Sequence, residues 1–132
     1  MAKTYYLFIS HAWDYSEHYD KIKEWLNEDS ISWKDYSVPV TNQIDADTKK
    51  ELKEKLTSKI SLSSAIIVIS GMYAAYSDWI DYEIDEAIRL GKVIIGVKPW
   101  GQERVPTKIQ DNATEMVGWN KKSVIDAIKK YA

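Results

Sequence analysis

The sequence predicts an α/β fold: three layers, with a five-stranded parallel sheet covered by helices on both faces. Three observations lead there. Strand-length and helix-length segments alternate from one end of the chain to the other, with no internal repeat. Two runs, Ala65 to Ser70 (AIIVIS) and Val93 to Val97 (VIIGV), are nearly all apolar and rich in β-branched residues, the pattern of strands buried on both faces. The 132 residues are enough for one core and too few for two ordinary ones, so one domain is expected over residues 1–132.

Each element has its own signal. Tyr5 to Ser10 is a short β-rich run that the polar stretch His11 to Ser16 breaks, giving a strand and then a loop. Ile22, Trp25 and Leu26 fall at i, i+3 and i+4, with Tyr19 extending the face, which predicts an amphipathic helix over 17–27. Ser32 to Tyr36 is a second strand and 37–47, with Pro39, a loop. Thr48 followed by Glu51 reads as a capping box opening a helix striped by Leu52, Leu56 and Ile60. After the AIIVIS strand, 71–77 reads as a loop, and Ser77 or Asp78 as the cap of a third helix that Gly91 stops. Beyond VIIGV, 99–112 is expected to be loop, Glu115 to Trp119 an edge strand, and Asn120 the cap of a last helix with Val124, Ile125 and Ile128 inward. Five strands suit the flavodoxin-like order 2-1-3-4-5, whose winding reverses between strands one and three. Ligands of such sheets bind at the carboxyl ends of the strands beside that reversal, which directs attention to His11 to Ser16 and Gly71 to Ser77.

Composition narrows the function classes. Twenty acids against 18 bases give a net charge of −2 without a block of either sign, so nucleic acid is not an expected partner. The absence of cysteine excludes disulfides and thiolate chemistry, and no apolar run approaches membrane-spanning length, so the cytoplasm is the expected compartment. Six Trp and 9 Tyr against 1 Phe supply rings with a polar handle, equally suited to a core or to a stacking surface.

On the third helix Trp79, Glu83 and Ala87 form one i+4 row beside a core stripe of Ile80, Ile84 and Ile88. That offset puts Glu83 at the boundary between buried and wet surface, where poor solvation makes a carboxylate useful for stabilising positive charge or handling a proton. A plain alternative stands beside it: Asp81, Asp85 and Glu86 lie on the same helix, and all four acids can simply be solvated. Ser10 and His11, at the end of strand one, can hydrogen-bond a phosphate or ribose or merely open a polar loop. Asp14 can serve the site or cap the first helix. Asp35, ending strand two, can hold a ribose or form a turn.

Trp79-Ile80-Asp81-Tyr82-Glu83 matches the W-x-x-x-E pattern of TIR domains that cleave NAD, and FISHAWDYSEHY, residues 8–19, resembles the opening of the TIR-like family of Thoeris antiphage systems. Lys34-Asp35-Tyr36-Ser37-Val38-Pro39, the IIVIS strand, and Gly91-Lys92-Val93-Ile94-Ile95 through Pro99-Trp100-Gly101 extend the resemblance over nearly the whole chain. The resemblance implies NAD as the substrate rather than as a cofactor. The bond between nicotinamide and ribose would be cleaved at Glu83 by hydrolysis or cyclisation, and the ADP-ribose product, linear or cyclic, would be a signal read by a separate effector protein. Position around the crevice makes Ser10, His11, Trp13, Asp14, Asp35, Tyr76 and Trp79 the substrate-binding candidates, with Trp13, Tyr76 and Trp79 available to close the pocket. The resemblance also implies self-association, because the 36–43 loop matches the TIR loop that mediates assembly.

Other readings lack their chemistry. A phosphate-accepting receiver needs an aspartate where strand three ends Ile69-Ser70-Gly71, and no G-x-G-x-x-G or Walker loop occurs. His11, Asp14 and His18 do not make a metal set at their spacing. A hydrolase triad lacks its nucleophile elbow. The rival from another class is a non-enzymatic TIR-like adaptor acting through self-assembly. An enzyme should set Glu83 in a concavity facing Ser10 to Trp13, whereas an adaptor can leave it on an open face.

Overall fold

The computed structural model describes residues 3–13, 16–41, 44–99 and 105–132. Five parallel strands, β1 (Tyr5–Ile9), β2 (Trp33–Asp35), β3 (Ala65–Ile69), β4 (Val93–Lys98) and β5 (Glu115–Gly118), form one sheet in the order β2-β1-β3-β4-β5. The expected order and both buried central strands are therefore present. Five α-helices alternate with them: α1 (Glu17–Glu28), α2 (Ala46–Leu62), α3 (Tyr73–Arg89), α4 (Thr107–Asn112) and α5 (Lys121–Tyr131).

Strand pleating sorts the core into two halves. Phe8, Ile66, Val68 and Ile94 point to one face, where Leu56 and Ile60 of α2, Ile80 and Ile84 of α3 and Ile109 of α4 cover them. Leu7, Ile9, Ile67, Ile95 and Val97 point to the other, under Ile22 and Leu26 of α1 and Val124, Ile125 and Ile128 of α5. Gly96 makes room at the edge of the sheet, since a Cβ there would fall 2.1 Å from Met116 Sδ. Past β1 and β2 the pairing continues in a single parallel bridge between Ala12 and Val40, which ties down the loop that follows β1.

Four local expectations are corrected. Asp45, not Thr48, caps α2: its carboxylate accepts from the Thr48 amide at 2.7 Å, so Thr48 is the third helical residue. The 71–77 segment is helical rather than loop. A 3-10 turn over Ser70–Met72 runs directly into α3, which no side chain caps; the backbone leaves helical geometry only at Tyr76 (φ −132°, ψ 33°), just before the residues expected to begin the helix. The segment before β5 contains the short helix α4, in which Ile109 alone is buried, too little apolar pattern to announce a helix. Ile88 is 50% exposed and does not belong to the core stripe. The stop at Gly91 holds, with φ +69°, a conformation that glycine adopts without strain. The Asn120 cap also holds, accepting from the Ser123 amide at 2.8 Å.

Candidate active site

β1 ends at Ile9, but the Ser10 amide still donates to the Ile67 carbonyl at 2.8 Å, so the backbone of Ser10 is held by the central sheet. Its hydroxyl crosses to α3 and donates to Glu83 Oε1 at 2.6 Å. Glu83 is 0% exposed, and Trp79, Ile80, Ile84 and Ala87 around it on the helix all belong to the core. The boundary position expected for this residue is thus corrected: with Ile88 turned out, the buried stripe runs through Tyr76, Trp79, Ile80, Glu83, Ile84 and Ala87. Oε2 is buried without a hydrogen-bond partner among the described residues. Burial pushes the carboxyl up to about 8, and the Ser10 hydrogen bond pulls the other way without offsetting it. Burial therefore favours the protonated form of this acid.

A cavity of about 70 Å³ lies at the carboxyl ends of β1, β3 and β4, lined by Ser10, His18, Ile69, Gly71, Met72 and Pro99. This is the winding reversal, since β1 and β3 are neighbours that lead away in opposite directions along the sheet. The volume is several times what one water needs, room for part of a small ligand. Glu83 does not line the cavity; it stands behind Ser10, one hydrogen bond away.

The remaining candidates separate into other settings. His11 is buried and its ring stacks on Tyr19, with centroids 3.8 Å apart and planes at 2°. Its Nδ1 donates to the Ile9 carbonyl at 3.0 Å, and burial holds its pKa below the usual histidine value. Asp35 is exposed and accepts twice, from the Ser37 amide at 2.9 Å, closing a turn, and from the Tyr19 hydroxyl. Burial first and this carboxylate second raise the Tyr19 phenol above its ordinary range. Trp13 is 70% exposed and lines a second cavity with Pro39, Thr41, Ile44 and Leu52. Tyr76 and Trp79 are buried in the core; the edge of Trp79 reaches a third cavity, where the Lys49 ammonium lies 5.9 Å from its ring centre. Asp14 lies outside the described residues. Of the sequence candidates, then, Ser10 and Glu83 are brought together, while His11 and Asp35 are joined to each other through Tyr19.

His18, Ile69, Met72 and Pro99 complete the cavity and were not among the sequence candidates. His18 carried a usable signal: it precedes Ile22 by four residues on the inward stripe of α1, in the first turn, which begins near the carboxyl end of β1. The other three are apolar and have no signature apart from their position at strand ends.

Solved structures similar to this chain share the fold at low identity. The CMP N-glycosidase of Clostridium botulinum is 13% identical with a TM-score of 0.58, covering 94% of this chain and 98% of its own. The 2-deoxyribosyltransferase of Bacillus psychrosaccharolyticus is 14% identical with a TM-score of 0.62, covering 90% and 89%. A 3-dehydroquinate dehydratase-like protein of Bifidobacterium longum is 11% identical with a TM-score of 0.51, covering 99% and 95%. No curated protein matches in sequence. Residues 8–104 match the family model described as Thoeris protein ThsB, TIR-like domain.

Proposed function

The chain belongs to the TIR-like domain family of the Thoeris protein ThsB, and from that premise we propose that it cleaves the bond between nicotinamide and ribose in NAD, with Glu83 as the catalytic residue. The observation that carries the reading is the Glu83 carboxyl, wholly buried, with one oxygen unpartnered and the other bonded to Ser10 at the wall of the switch-point cavity. A fold shared with an N-glycosidase and a deoxyribosyltransferase agrees with glycosidic-bond chemistry on this scaffold.

The steps follow from the charges. The nicotinamide ring of NAD is cationic, and a cation brought beside a dry carboxyl lowers its pKa and favours loss of the proton. The carboxylate, held behind Ser10 at the cavity wall, then acts on the sugar from there as the C1′–N bond breaks, the bond's electron pair passing to the ring nitrogen, which leaves neutral nicotinamide and an oxocarbenium-like sugar. Fixed negative charge in a low-dielectric site stabilises that sugar cation as it forms. Water adding at C1′ gives linear ADP-ribose and releases one proton. A nucleophile of the ADP moiety adding there instead gives a cyclic product with the same proton balance, and solvent exclusion favours this second course. A cyclic product suits a defence signal read by a separate effector.

Incubating the protein with NAD and following nicotinamide by chromatography, with Glu83→Gln as control, tests this directly. Release by the wild type and not by the variant is the expected result; equal release by both removes Glu83 from the chemistry. A second reading, assembly without catalysis, is favoured by Trp13, whose exposed ring beside Pro39 and Thr41 suits a contact between copies. Loss of self-association on Trp13→Ala, measured by light scattering, together with a silent NAD assay for the wild type, would favour it.

A further inference from the structure

We propose that His18 contacts the ligand directly, hydrogen-bonding the polar substituent of a flat heteroaromatic ring held in the switch-point cavity; this rests on the NAD-cleaving reading and identifies the cavity as the place of the departing base.

The cavity is built for such a group. Ile69, Met72 and Pro99 present apolar walls, and among the described residues its hydrogen-bonding side chains are Ser10 and His18. Ser10 is already engaged with Glu83. His18 is free to act: among the described residues neither of its ring nitrogens is hydrogen-bonded to protein, and its ring packs edge-on against Trp119, with centroids 4.7 Å apart and planes at 79°. Trp119 in turn packs on Trp25, at 4.7 Å and 47°. The aromatic stack fixes the orientation of the imidazole while leaving its nitrogens uncommitted. The other histidine makes the contrast, since His11 is buried, stacked on Tyr19 and bonded through Nδ1. A half-buried imidazole without a hydrogen-bond partner among the described residues, lining a cavity of mostly apolar walls, matches a planar ring carrying one hydrogen-bonding group, such as the carboxamide of nicotinamide. The site then draws on both layers of the fold, because Glu83 comes from α3 on one side of the sheet and His18 from α1 on the other.

The chain has only two histidines, so their ring signals can be followed separately by NMR and assigned with a His18→Gln variant. Nicotinamide, ADP-ribose and NAD are titrated in turn into the wild type. Nicotinamide and NAD should shift the His18 ring signals and leave those of His11 in place, while ADP-ribose alone should move neither. In turnover, His18→Phe should raise the KM for NAD about tenfold with a smaller change in kcat, and His18→Gln should recover part of it. Thermal melts establish that both variants are folded. His18 signals that stay fixed under nicotinamide, or that respond to ADP-ribose instead, overturn the assignment even if the protein cleaves NAD. His18 responding to nicotinamide in a protein that never cleaves NAD leaves the ring site standing and removes the catalytic reading.

Discussion

Glu83 and Glu86 lie three residues apart on the same helix, and their surroundings drive them in opposite directions. Glu86 is fully served: Arg89 donates to both oxygens, at 2.6 and 3.2 Å, Thr57 donates at 2.7 Å and Tyr82 at 3.3 Å. Those hydrogen bonds, Arg89 foremost, pull its carboxyl down to about 2. Glu83 has one hydrogen bond, one unpartnered oxygen and a value near 8 set by burial. Glu86 ties α3 to α2. Glu83 spends stability to keep an ionisable group dry beside a cavity, an arrangement found where a protein does chemistry.

The largest expected contrast is in activity. Glu83→Gln should lower nicotinamide release by at least about 100-fold, the scale of losing a group that stabilises charge in the transition state, whereas Glu86→Gln should leave it nearly unchanged. Comparable losses in both variants would mean that the assay reads the stability of the helix rather than the chemistry. Next is thermal stability against pH. The folded-state value of Glu83 lies above its unfolded value, so keeping the proton favours the fold at low pH, and that advantage is lost as pH rises toward 8. Glu83→Gln should therefore raise the Tm by about 5 °C or more at pH 8 and hardly at all at pH 4. A gain independent of pH would show that the carboxyl is not dry.

The sign reverses for Glu86, whose folded-state value lies below the unfolded one. Its contribution is present above the ordinary carboxylate range and is lost as pH falls toward 2. Glu86→Gln should cost about 1–3 kcal/mol in denaturant melts at pH 6, with the gap closing on acidification; a gap that persists at pH 2 contradicts the ion-pair account. The smallest effect belongs to Ser10→Ala. Removing the one hydrogen bond that favours the Glu83 carboxylate should move the rise of kcat/KM with pH about one unit to the alkaline side. An unmoved midpoint in the pH–rate profile would detach Ser10 from the acid.

Most of the fold could be read from the chain because strands buried on both faces have no polar alternation to confuse them, and AIIVIS and VIIGV sit at β3 and β4 as expected. The family, too, was legible in motifs spread over the chain, and residues 8–104 match it. The depth of Glu83 was not legible. Three isoleucines at i, i+4 and i+8 outline a stripe, and nothing local reveals that Ile88, near the end of α3, turns out to solvent while the row with the acid turns in. Helix α4 was missed because six residues with a single buried side chain have no period to detect. The pairing of Ser10 with Glu83 could be suspected from topology, whereas the diversion of His11 and Asp35 to Tyr19 depends on how α1 packs over the strand ends, which periodicity does not determine.

Ser10 and Glu83 stand 73 positions apart along the chain, and the contact between them needs β1, β3 and α3 all in place. No isolated peptide, proteolytic fragment or nascent chain that stops short of α3 can hold the pair together. Competence at this site therefore requires a chain that carries both β1 and α3, brought together across the sheet.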